Sequence, residues 1–101
     1  MGAGTDTVNL ASSGSNVATI SNAETIVVAV SGGSDDVITL GTTITSGSVD
    51  LQQGNDTLVL ADGSNTLTVV NTESVTGGTG DDTITLASSG TNIVTVTDVE
   101  T

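Results

Sequence analysis

Asp6, Asp36, Asp56 and Asp82 each stand four residues before a leucine, in the segments GAGTDTVNL (2–10), GGSDDVITL (32–40), QQGNDTLVL (52–60) and GTGDDTITL (78–86). The last segment is preceded by a further glycine, so Gly77, Gly78 and Gly80 crowd the approach to Asp81 and Asp82. Carboxylates beside glycine-rich backbone offer a cluster of oxygens, and oxygen clusters suit a hard cation such as Ca²⁺, which takes six to eight such ligands. A second reading uses the same residues without a metal. The glycines supply positive φ, and the Asp side chain bonds the local backbone of a turn. Little other chemistry is open to this chain. It has 12 acidic residues and no Lys, Arg, His, Cys, Tyr, Trp, Phe or Pro, for a formal charge of −12. A catalytic triad, a Schiff base, a thiolate site and a zinc site are excluded. So is a basic patch for nucleic acid or anionic lipid. Two carboxylates can hydrolyse a glycoside, but no aromatic side chain is present to carry a sugar. The expectation is a protein that is not an enzyme.

The elements that hold these residues are strands. In each segment an apolar residue lies two before the leucine (Val8, Ile38, Leu58, Ile84), with mostly Thr between, which is the period-2 pattern of a strand with one buried face. A second element follows three of the segments: NVATISNAETI (16–26), NTLTVVNTESV (65–75) and NIVTVTDVET (92–101). Asn16, Asn65 and Asn92 open it, and Glu24, Glu73 and Glu100 precede a third short strand, which is Ile26–Val30 in the first unit. The middle unit is trimmed to VITL, TTIT and SVDL. Helical periodicity is absent. Units of this kind bury their apolar face only by stacking on a neighbour. The predicted fold is all-β: a single domain over 1–101, a right-handed parallel β-solenoid. It has about four rungs of three short strands each, at roughly 2–31, 32–51, 52–76 and 77–101. A β-sandwich is the competing fold, but it gives no reason for Asp-x-apolar-x-Leu to recur. Stacked in register, the four Asp residues form one column. Two unit charges about 5 Å apart repel by roughly 0.8 kcal/mol in water, and several-fold more at lower dielectric. With no basic residue present, splayed side chains, raised pKa values or a bound cation are the available remedies.

GGTGDDTIT (77–85) resembles the calcium-binding nonapeptide of the RTX, or haemolysin-type, repeat family, G-G-x-G-x-D-x-U-x, at every specified position. The resemblance implies a β-roll that binds Ca²⁺ between successive loops. Asp82 would be the ligating carboxylate, with Gly77, Gly78 and Gly80 shaping the loop. MGAGTDTVN (1–9) matches except for Met1, SGGSDDVIT (31–39) keeps Gly32 and Asp36, and LQQGNDTLV (51–59) keeps Gly54 and Asp56. The equivalent ligands are then Asp6, Asp36 and Asp56. The pattern departs from the family in its spacing. The family's nonapeptides run in tandem, whereas these Asp residues recur after 30, 20 and 26 residues. Asp35 and Asp81 are expected to face solvent, and the three Glu residues to be turn residues.

Roughly a fifth of the residues are Thr, with Thr-x-Thr at 43–45, 66–68, 83–85 and 95–97. Such arrays resemble those of ice-binding solenoids. With the four Asp segments in register, the outward columns are Thr7, Val37, Thr57, Thr83 and Asn9, Thr39, Val59, Thr85, and both are broken. Asn55-Asp56-Thr57 is a glycosylation sequon inside a proposed loop. The N-terminus lacks the basic and apolar regions of a secretory signal, and no apolar run approaches the roughly 18 residues of a membrane span. Residues 2–25 align with 78–101 at a constant offset of 76, and neither end offers a polar cap. The expectation is an extracellular structural solenoid with Ca²⁺ at its turns: a subunit stacking head-to-tail into a filament, or a repeat segment of a bacterial surface protein or adhesin. The alternative is a Thr-rich module that binds ice or a surface.

Overall fold

The computed structural model describes residues 1–28, 33–87 and 95–99. Among these described residues ten short strands follow one another: β1 (Thr7–Leu10), β2 (Val17–Ile20), β3 (Thr25–Val28), β4 (Val37–Leu40), β5 (Gly47–Asp50), β6 (Thr57–Val59), β7 (Thr66–Val70), β8 (Ser74–Thr76), β9 (Thr83–Ala87) and β10 (Thr95–Thr97). Odd-numbered strands form one sheet in the order β1-β3-β5-β7-β9, and even-numbered strands form the other, β10-β8-β6-β4-β2. Every pairing is parallel. The chain is therefore an all-β solenoid of about four turns, coiling between two facing sheets.

Each turn of the coil holds two strands, not three. The strand expected to finish the first unit, at Ile26–Val30, is β3, and it opens the next turn opposite β1, with Thr7 facing Thr25 and Leu10 facing Val28. Its last two residues lie outside the described ones. TTIT (42–45) is not a strand. Ile44 alone turns inward there and is buried, while its carbonyl accepts from Thr66 N–H at 2.6 Å. Four β-branched residues in a row give TTIT the look of a strand, but it sits at the edge, where the chain must cross between sheets.

The core fills the gap between the sheets with aliphatic residues alone. Ile26, Val49 and Val69 line it from one side, and Ile38, Leu58 and Val75 from the other. Leu51 closes it at an edge and is fully buried. A fully buried Leu or Ile contributes about 1.5–3 kcal/mol, and repetition across rungs replaces the aromatic bulk that the sequence lacks. The end rungs are less covered. Val8, Leu10, Ala18, Ile20 and Ile84 are only partly buried, and Leu86 is 44 % exposed.

Candidate metal site at the turns

The crossings stack along two edges of the solenoid. One edge carries the leading segment 1–6 and turns 21–24, 41–46, 60–65 and 77–82; the other carries 11–16, 33–36, 51–56 and 71–73. Asp6 and Asp82 lie on the first edge, and Asp36 and Asp56 on the second. The expected single column of four carboxylates does not form. The chain alternates between sheets, so a step of 20 residues, as from Asp36 to Asp56, completes one turn, as the pairing of Val37 with Thr57 shows. The longer steps of 30 and 26 residues end half a turn away.

The remaining places in the two columns are filled mainly by residues assigned to other elements in the sequence. On the second edge the order is Asn16, Asp36, Asp56, Glu73. Asn16 N–H donates to Asp36 Oδ1 (2.7 Å), Asp36 N–H to Asp56 Oδ1 (2.7 Å) and Asp56 N–H to Glu73 Oε2 (2.8 Å). On the first edge Asp6 N–H donates to Glu24 Oε2 (2.8 Å), Ile44 N–H to Asn65 Oδ1 (3.1 Å) and Asn65 N–H to Asp82 Oδ1 (2.9 Å). Each side chain thus reaches back one rung and accepts a main-chain N–H that has left its strand. The turn reading expected such a bond within the same turn; it forms between rungs instead.

Asn and Asp are interchangeable at this position, and treating them as one letter would have revealed it. Gly-x-Asp/Asn precedes a strand at Gly4–Asp6, Gly14–Asn16, Gly54–Asp56, Gly63–Asn65 and Gly80–Asp82, and all five glycines have positive φ, from 79° to 150°. Glu24 and Glu73 are turn residues, as expected, in tighter crossings where Asn22 and Asn71 take the left-handed conformation (φ 56° and 51°). In each crossing the Glu N–H and the next N–H converge on one Asp carbonyl, Asp6 or Asp56, at 3.0–3.2 Å. The longer Glu side chain then supplies the acceptor that Asp supplies elsewhere. Asp35 and Asp81 are exposed, as expected; Asn92 and Glu100 lie outside the described residues.

The two side-chain types differ in their second atom. Asn65 Nδ2 donates to Ala61 O (2.8 Å) and Gly63 O (3.0 Å) as well as to Asp82 Oδ1 (2.8 Å). Asn16 Nδ2 donates to Ala11 O and to Asp36 Oδ1, both at 3.0 Å. An ionised Asp has no proton to offer a carbonyl. Asp36 and Asp56 are buried, with 0 % and 1 % of their surface exposed, and their Oδ2 atoms have no hydrogen-bond partner. Asp6 Oδ2 and Ser34 Oγ are in the same state. Burial pushes the Asp56 carboxyl up from 3.8 to about 6. The Asp36 N–H opposes that rise, and the charges of Glu73, Asp36 and Asp35 add to it.

The complete nonapeptide sits elsewhere. Its loop joins β8 to β9 and stacks on turn 60–65: Gly63 N–H donates to Thr79 O (2.6 Å) and Thr79 N–H to Asp62 Oδ1 (3.2 Å). Gly78 (φ 89°) and Gly80 (φ 113°) take conformations that favour glycine, and a side chain at Gly77 would run into Asp98 O and stand 2.7 Å from Asp82 Oδ2. The neighbour of Asp82 in the preceding rung is Asn65, so no second carboxylate faces it there. Among the described residues only Asp36 and Asp56 stand in register as neighbouring carboxylates that both have an unpartnered buried oxygen. Among the described residues no three acidic side chains converge, so a cation would draw its other ligands from hydroxyl and carbonyl oxygens.

The faces of the solenoid are chemically distinct from its edges. The true register aligns Thr7, Thr25, Ser48, Thr68 and Thr85 into an outward hydroxyl column with no break, where the Asp-based register expected broken ones. Beside it a cavity of about 170 Å³ is lined by Thr45, Ser46, Gly47, Thr66, Leu67, Thr68 and Thr85. No family model matches this chain, and no curated protein or solved structure matches it.

Proposed function

We propose that this chain is a non-enzymatic, extracellular structural β-solenoid whose Gly/Asp turns hold Ca²⁺. It serves as a self-assembling filament subunit or as a repeat segment of a bacterial surface protein or adhesin. The observation that carries this reading is the corner where Ser34 Oγ, Asp36 Oδ2 and Asp56 Oδ2 are buried without a hydrogen-bond partner. Unpaired buried carboxylates are costly, and the chain has no basic side chain to offset them. A hard cation would supply the missing positive charge between rungs, and extracellular fluid provides calcium in quantity. Assembly is supported by the ends. β1, β2, β9 and β10 each pair on one side only among the described residues, and the apolar residues of the end rungs are only partly covered. Such edges are templates for further strands.

Electron microscopy and far-UV circular dichroism of the chain, with calcium and with chelator, test the reading. A calcium-dependent rise in melting temperature is expected, together with elongated assemblies at high concentration. A melting temperature indifferent to calcium would remove the cation, and monodisperse monomers in millimolar calcium would remove the filament. The unbroken hydroxyl column favours a second reading, a module that binds ice or another surface through its first sheet. Thermal hysteresis that is lost in Thr68→Val would support it, and its absence from the native chain would reject it.

A further inference from the structure

Turns 60–65 and 51–56 have the same length and the same landmarks, and differ in that Gln52 has positive φ (67°). Each starts at a buried leucine, Leu60 or Leu51, and passes a positive-φ glycine, Gly63 or Gly54. Each closes on a buried residue that accepts a main-chain N–H from the preceding rung. At Asn65 the amide nitrogen then reaches back to two carbonyls of its own turn, Ala61 O and Gly63 O. At Asn16 it reaches Ala11 O. A carboxylate in the same place directs an oxygen where the amide directs a donor, and Asp56 Oδ2 has no partner there. Something positive is required at an Asp turn, and an Asn turn carries it in its own side chain.

We infer that Asn16 and Asn65 are built-in substitutes for a bound cation, and that among the described residues the solenoid's need for one is thereby concentrated at the corner of Ser34, Asp36 and Asp56. This rests on the calcium reading above and sharpens it. The complete nonapeptide at 77–85 is then not the main site, because the rung before Asp82 is closed by Asn65, whose amide already bonds Asp82 Oδ1. Carboxylates of neighbouring rungs also meet at Asp6 and Glu24 and at Asp56 and Glu73, but among the described residues only at Asp36 and Asp56 do both members keep a buried, unpartnered oxygen, and the adjacent Ser34 hydroxyl is also buried and unpartnered. Ser34 takes the place where the other Gly-x-Asp/Asn turns have glycine, so this corner gains an oxygen ligand that they lack. Ca²⁺ accepts such mixed carboxylate, hydroxyl and carbonyl sets.

The test exchanges the two side chains and reads metal-free and calcium-loaded melting separately, using the whole chain. No aromatic residue is present to report by fluorescence, so melting is followed by far-UV circular dichroism and calcium stoichiometry by calorimetry. In chelator, Asp56→Asn is expected to melt above the native chain, and its rise on adding calcium chloride to fall to less than half the native rise. Asn65→Asp is expected to melt below the native chain in chelator, to show a larger rise with calcium, and to bind one additional ion. If Asn65→Asp does not fold without metal, Asn16→Asp, at a more exposed turn, carries the same expectation in milder form. A native chain that responds to calcium, with an Asp56→Asn variant that responds as fully, overturns the inference and leaves the calcium reading intact. So does an Asn65→Asp variant as stable as the native chain in chelator. A native chain indifferent to calcium overturns both.

Discussion

Turn 51–56, Leu-Gln-Gln-Gly-Asn-Asp, and turn 60–65, Leu-Ala-Asp-Gly-Ser-Asn, both accept a displaced backbone N–H from the rung before, the first through a buried carboxylate (Asp56 Oδ1) and the second through a buried neutral amide (Asn65 Oδ1). The Asn65 side chain is then complete: its amide nitrogen is bonded to Ala61 O, Gly63 O and Asp82 Oδ1. The Asp turn keeps a buried oxygen with no donor and a negative charge close to those of Asp36, Glu73 and Asp35. One atom separates a self-contained turn from one that needs a proton or a cation. Stability and responsiveness are thus distributed along the solenoid by a choice between two isosteric side chains.

The largest expected break in this comparison is Asn65→Ala. It strands the buried Ile44 N–H and removes the donor from the part-buried Ala61 and Gly63 carbonyls. Each unsatisfied buried group costs about 1–3 kcal/mol. A loss of about 3–5 kcal/mol is expected, measured by denaturant unfolding, with no recovery on adding calcium. An effect no larger than that of an exposed substitution, about 0.5 kcal/mol, would show that Asn65 does not hold its turn closed.

The pH dependence should separate the turns next. The folded-state value of about 6 for Asp56 lies above its ordinary 3.8. Between those two values the folded protein holds a proton that the unfolded chain has released, so this group's contribution to stability falls as pH rises through the window. Below about 4 the contribution is fully present. In chelator, the stability advantage of Asp56→Asn over the native chain should therefore widen from pH 4 to pH 7, by about 2 kcal/mol. A constant gap between the two proteins across that range would contradict the burial of an unbalanced charge at Asp56. Asp56→Ala should be milder, costing about 1 kcal/mol at pH 7 in chelator. It strands the Asp36 N–H but also removes the buried charge.

Apart from TTIT, the strands, their parallel stacking and the place of each Asp turn along the chain are legible in the sequence, because period-2 alternation and Asp-x-apolar-x-Leu are local patterns. The number of strands per turn is not. Whether β3 ends one turn or opens the next depends on which sheet it joins, and Thr25–Val28 has the same composition in either case. Asn16 and Asn65 open a different element in the sequence pattern, because a search for charge singles out Asp alone. The fold uses the acceptor oxygen that Asp and Asn share. Glu24 and Glu73 were rightly placed in turns, yet their role depends on reaching the N–H of a residue 17 or 18 positions earlier, which no local pattern encodes. The same misplaced register hid the hydroxyl column: Thr7 pairs with Thr25, not with the residue after Asp36.

Asp35→Asn is the finest probe of the comparison. Asp35 is exposed, and its Oδ1 accepts the Asn55 N–H at 2.9 Å, a bond that Asn retains through its own oxygen. The substitution therefore changes charge and little else. Asp35 is the smallest of the charges that push Asp56 upward, so removing it should relieve the Asp turn while leaving the Asn turn untouched. A gain of about 0.3–0.5 kcal/mol in chelator at low salt is expected, within the range of exposed charge interactions. At 1 M salt, where the screening length falls to about 3 Å, the gain should vanish. In an Asp56→Asn background it should be small at any salt concentration, because Asp56, whose charge Asp35 opposes, is then neutral. A gain that persists undiminished in that background would mean that Asp35 acts through its own turn, and that the strain at this corner does not centre on Asp56.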